Sequence, residues 1–123
     1  MEAISISGGT IYAYAASHEA IECKGTIEIN GGDTYAESSD DAINASSHLT
    51  VNGGYVAGIS SGNDGLDSNG TVNLNGGTLE VYAPSQGDGD PIDTDYGCTF
   101  GGATVLAVGP AMMQQSYTGA YVP

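Results

Sequence analysis

The chain is 123 residues long and sets 15 Asp plus Glu against a single Lys plus Arg, for a formal net charge of -14. With no basic surface to displace counterions from phosphates, nucleic-acid binding is excluded, and there is no run of about 18 apolar residues to span a membrane. Twenty Gly beside four Pro, against a usual Gly share of about 7%, point to frequent tight bends in one domain rather than a disordered linker.

Gly-Gly pairs mark a repeat. In chain order they are Gly8-Gly9, Gly31-Gly32, Gly53-Gly54 and Gly76-Gly77, with Gly102-Ala103 as a degraded fifth, and successive starts differ by 23, 22, 23 and 26. The first repeat opens on the alternating Ile4-Ser5-Ile6, passes its Gly pair, alternates again with Ile11 and Ala13 facing inward, and reaches an apolar Ile21. The second runs through Ile27-Glu28-Ile29, Thr34 and Ala36, then Ile43. Leu49-Thr50-Val51, Val56 and Gly58, and Leu66 form the third; Val72-Asn73-Leu74, Leu79 and Val81, and Ile92 the fourth. A fifth keeps Cys98-Thr99-Phe100, Val105 and Ala107.

Period-two alternation predicts strands with one buried face. Three short strands in each repeat of 22–26 residues, without helical periodicity, predict an all-β, three-sided parallel β-helix of about five coils over residues 1–109. Residues 110–123 leave the repeat and are expected to cap the last coil. The first acidic residue of each repeat stands 12 residues before the next marker Gly, as in Asp41 to Gly53 and Asp64 to Gly76, so length variation is confined to one surface bend. Cys98 aligns with Ile27, Leu49 and Val72, and Cys23 with Ala45, Ser68 and Thr94. Their coils lie roughly 14 Å apart at about 4.8 Å per coil, which predicts two free thiols. Ile4 and Ile6 open a coil with no cap ahead of them, so head-to-tail self-association or missing coils at the amino end is expected.

Glu19, Asp41, Asp64 and Asp90 share one column, and Glu22, Asn44, Asp67 and Asp93 a second, three residues further on. The aliphatic residue between each pair points inward, so the carboxylates are expected on the outer side of a bend, stacked about 4.8 Å from their equivalents. Unit charges at that spacing repel by roughly 1 kcal/mol in water and several times more at a protein surface, which calls for a cation that Lys24 alone cannot supply. Oxygen donors at flexible spacing suit calcium better than magnesium, and the lack of a Cys/His cluster argues against zinc. Asp40, Asn63 and Asp88 can add ligands. The alternative is a solvated acidic face that keeps the protein soluble.

Three segments carry a resemblance: Asp64-Gly65-Leu66-Asp67-Ser68-Asn69-Gly70, Leu74-Asn75-Gly76-Gly77-Thr78-Leu79-Glu80-Val81, and the closing Gly102-Ala103-Thr104-Val105-Leu106-Ala107-Val108-Gly109 with Met112 and Gln114 after it. From Ala3 to about Gln115 the chain resembles the calcium-binding right-handed parallel β-helix family of bacterial carbohydrate-binding proteins, related in fold to pectate and other polysaccharide lyases. The resemblance implies a right-handed helix outside the cell or on its surface, calcium between coils, and affinity for cellulose-like or acidic plant polysaccharide. By position Asp41, Asp64, Asp67, Asp90 and Asp93 fit its ligand pattern, whereas Glu19, Glu22 and Asn44 depart from the Asp-rich form. Family members continue with more coils at the amino end, so the chain resembles the C-terminal part of a longer helix.

Outward positions after the Gly pairs carry Tyr12 and Tyr35 in one column, and Tyr14 and Tyr82 in the next with Glu37 and Ile59 between them. Such a row can serve as a sugar platform or as an aromatic ladder between coils. For a lyase, Lys24 is the one candidate base, and a hydrolase needs a carboxylate pair that breaks the repeat once, whereas the Asp pairs recur coil after coil. A non-catalytic polysaccharide-binding protein is therefore expected. A structural, self-associating surface or fibre protein is the alternative, and a lyase-like enzyme the second.

Overall fold

The computed structural model describes residues 2–84 and 89–109, and the backbone of 117–118. Its first coil consists of β1 (Ala3–Ile6), β2 (Thr10–Ala15) and β3 (Ile21–Cys23); the second of β4 (Thr26–Ile29), β5 (Asp33–Ser38) and β6 (Ile43–Ala45). The third holds β7 (His48–Val51), β8 (Tyr55–Ser60) and β9 (Leu66–Ser68), and the fourth β10 (Thr71–Leu74), β11 (Thr78–Tyr82) and β12 (Ile92–Thr94). β13 (Cys98–Phe100) and β14 (Thr104–Val108) begin a fifth, and β15 (Tyr117–Thr118) pairs with β13. The remainder of the expected cap, with Met112 and Gln114, and the expected additional ligand Asp88 lie outside the described residues.

Each strand pairs in parallel with its equivalent one coil away, so the three sides are three sheets: β1-β4-β7-β10-β13-β15, β2-β5-β8-β11-β14 and β3-β6-β9-β12. This is the three-sided β-solenoid expected from the repeat. Register runs without slip, as in Ile27↔Leu49, Thr34↔Val56 and Ile43↔Leu66, because a one-residue shift would turn every buried side chain outward. Ile27, Leu49 and Val72 from the first side, Val56, Leu79 and Val81 from the second, and Ile43, Leu66 and Ile92 from the third are all at most 1% exposed. Each contributes about 1.5–3 kcal/mol of burial. The interior is one side chain deep from each sheet.

The second Gly of each pair turns the first sheet into the second. Gly54 has φ +83 and a Cβ there would sit 2.6 Å from the Gly32 carbonyl oxygen of the preceding coil. Left-handed backbone and close coil approach therefore both demand glycine. Beside it an amide ladder runs between coils, Asn75 donating to Asn52 and Asn52 to Asn30, each at 2.8 Å. Cys23 and Cys98 are buried and free in the expected columns. Among the described residues no helix is long and apolar enough to cross a membrane.

Candidate functional site

Serine hydroxyls shape the corner between the second and third sheets. Ser38 Oγ donates to the His18 carbonyl one coil back and accepts the Asp40 N–H at 3.0 Å. Ser60 repeats the pattern, donating to the Asp40 carbonyl at 2.6 Å and accepting the Asn63 N–H at 2.7 Å. With the bend held this way, the acidic residue that follows folds back on the adjacent coil. Asp41 Oδ1 accepts the Asp64 N–H at 3.1 Å, and Asp64 Oδ1 accepts the Asp90 N–H at 2.7 Å.

This corrects the expectation that the column lies on the outer side of the bend: Asp41 and Asp64 are each 4% exposed. The aspartate stem is a single methylene, too short to reach solvent past the next coil but long enough to satisfy that coil's backbone donor, which cannot be left unpaired in a buried bend. The second column closes over the first. Asn44 Nδ2 donates to Asp41 Oδ2 at 3.0 Å and to Asp67 Oδ2 at 2.8 Å, and carboxylate oxygens of Asp41, Asp64 and Asp67 lie within 4.8 Å of one another.

Such crowding shows in the acidities. Burial, followed by the charges of Asp93, Asp41 and Asp67, holds Asp64 well above the ordinary carboxylate range against the opposing Asp90 N–H. Burial, the hydrogen bond with Asp41 and the charges of Asp41, Asp93 and Asp95 do the same to Asp67. Asp90 is raised by burial and by Asp93. The corner therefore stores negative charge that favours a proton or a cation. Its donors are hard oxygens of the kind that hard cations take, and among the described residues two groups could hold a metal: Asp41 with Asp64 and Asp67, and His18 with Glu19 and Asp40.

Two expected ligands go elsewhere. The Glu19 carboxylate lies with His18 and Asp40, and Glu22 pairs with Lys24 at 3.4 Å. Glu22 is exposed, whereas Glu19 stays half-buried in a second acidic group with His18 and Asp40. Asp90 and Asp93 remain half-buried beside the trio.

On the outer face of the second sheet, Tyr12 and Tyr35 stack with centroids 4.8 Å apart and planes 10° from parallel. Tyr35 also meets Tyr55 at 5.4 Å, tilted by 53°. Tyr55 escaped the sequence reading because it belongs to the neighbouring column, with Asp33 and Thr78, and reaches Tyr35 along the diagonal; aromatic side chains make such diagonal contacts. Tyr82 does not join the others. Its hydroxyl donates to Glu80 at 2.9 Å, and Glu80 also accepts from Tyr55, whose pKa burial and this bond push up to about 12. A groove of about 300 Å³ runs between the columns, walled by Tyr12 and Tyr35 on one side and by Tyr14, Glu37 and Ile59 on the other, over a floor at Ala13 and Ala36.

A family model described as "Carbohydrate-binding domain-containing protein" matches residues 1–65, slightly more than half of the chain. No curated protein and no solved structure matches it.

Proposed function

The chain belongs to the carbohydrate-binding domain-containing family, and from that premise we propose that it is a non-catalytic β-solenoid that binds polysaccharide outside the cell, with calcium holding the acidic corner together. The observation that carries the binding role is the open tyrosine face. Tyr12 and Tyr14 are 78% and 74% exposed on a regular sheet, within the segment the family model covers. Several rings gathered on one rigid sheet face mark an interaction surface where a single exposed ring does not, and tyrosine suits the mixed apolar and hydroxyl surface of a sugar.

Calcium at Asp41, Asp64 and Asp67 would supply the positive charge that the corner lacks and tie neighbouring coils together. Asp90 and Asp93 extend the same donor set by one coil. Asn44 would present its amide oxygen to the ion in place of the nitrogen that now faces Asp41 and Asp67, an exchange needing only a flip of the amide. Lack of catalysis is supported by Lys24, the one Lys or Arg in the chain, which is paired with Glu22 on the surface. Substrate candidates are cellulose-like and acidic plant polysaccharides.

Retention on insoluble polysaccharides, with calcium and with EDTA, tests this reading. We expect retention on at least one glycan. A spacer or fibre protein would be retained by none under either condition, which would overturn the binding role.

A further inference from the structure

We propose that the groove between the two tyrosine columns is a subsite for a neutral, hydroxyl-rich glycan, seated against the ring of Tyr14 with Glu37 accepting its hydroxyls, and that it discriminates against uronates. The inference rests on the carbohydrate-binding reading and narrows it. The rings are not equivalent. Tyr12 and Tyr35 turn their faces to one another, and Tyr35 gives a further contact to Tyr55, so this ladder offers mainly edges and hydroxyls to the groove. Tyr14 makes no ring contact among the described residues and is 74% exposed. Its face is available to the C–H side of a sugar ring.

Glu37 stands beside Tyr14 in the strand register and is exposed. A carboxylate has two acceptor oxygens and no donor, which suits a pair of adjacent hydroxyls. It also repels a carboxylate ligand. Among the described residues no cationic side chain lines the groove, and a uronate brought there enters the field of a chain with net charge -14. The cavity, about 300 Å³, is at the small end of ligand sites and holds one or two sugar rings. Every residue that lines it falls within the matched residues 1–65, whereas Glu80 and Tyr82, outside that segment, bond to each other. None of the acidic-corner residues lines it, so calcium enters only through the fold.

Calorimetric titration at saturating calcium, with neutral hexose oligosaccharides and with oligogalacturonates, tests the assignment on the intact chain. Tyr14→Ala and Glu37→Gln should each weaken neutral-glycan binding about tenfold with melting curves unchanged. Tyr96→Ala, which removes an equally exposed ring (79%) away from the groove, should change nothing. Neutral binding untouched by Tyr14→Ala would overturn the subsite. Tighter binding of oligogalacturonate would overturn the discrimination while leaving the carbohydrate role standing. Binding of no glycan would remove the role itself and this subsite with it.

Discussion

The same corner recurs from coil to coil with two different results. In the first coil its acidic residues are Glu19 and Glu22, and the structure disperses them, one towards His18 and Asp40, the other onto Lys24. In the second and third coils the equivalent residues are Asp41 with Asn44 and Asp64 with Asp67, and they converge under cover. Backbone register is identical, as Glu22↔Asn44 and Asn44↔Asp67 show. One methylene makes the difference. Glu22 reaches solvent and Glu19 stays half-buried with His18 and Asp40, apart from the trio, whereas aspartate satisfies the next coil's N–H and becomes trapped beside its neighbours.

The largest contrast should appear on adding or removing calcium. At a thousandfold excess over its dissociation constant, an ion bound only to the folded state adds about 4 kcal/mol, a rise in melting temperature on the order of 10 °C for a domain of this size. Melts in calcium and in EDTA measure it. Asp64→Asn should abolish most of the increment and Glu19→Gln should leave it intact; equal loss in both would erase the distinction between the coils.

Next in size is the pH response without the ion. Burial and mutual repulsion push Asp64 and Asp67 up to about 8, while an unfolded aspartate titrates near about 4. The folded state then retains protons that the unfolded state releases, so stability is fully present below about pH 4 and drains away as pH rises through about 8. Melting temperatures in EDTA should fall by on the order of 10 °C from pH 5 to pH 8, and calcium should flatten or reverse the trend. A metal-free protein that became more stable over this window would contradict the crowding of the middle coils.

A smaller effect sits inside the second coil. Thr34 Oγ1 is buried without a hydrogen-bond partner among the described residues, in the column shared by Ile11, Val56 and Leu79. Thr34→Val keeps the shape and deletes the stranded hydroxyl, so urea unfolding should show a gain of about 1 kcal/mol. The smallest effect belongs to the first coil. Glu19→Gln should change stability by less than about 0.5 kcal/mol, and a larger loss would mean that its contact with His18 and Asp40 stabilises the fold.

Much of this molecule was legible from spacing alone. Alternation placed Ile27, Leu49, Val72 and Cys98 in one buried column, and the Gly pairs located the turns, because strand period and glycine's left-handed backbone are local properties. The alignment of Tyr14, Glu37, Ile59 and Tyr82 followed from the same register. Direction and depth were not legible. Nothing in the column of acidic residues says that Asp41 bends inward to the Asp64 N–H, that Tyr82 is taken up by Glu80, or that Tyr55 reaches diagonally to Tyr35.

The sequence by itself determined the coil, its register and which residues stack, since these repeat every 22–26 positions and each copy confirms the others. Only the tertiary structure decided which stacked charges meet and which rings stay open. Those outcomes depend on side-chain length and on the donors that the adjacent coil happens to present, and neither is periodic.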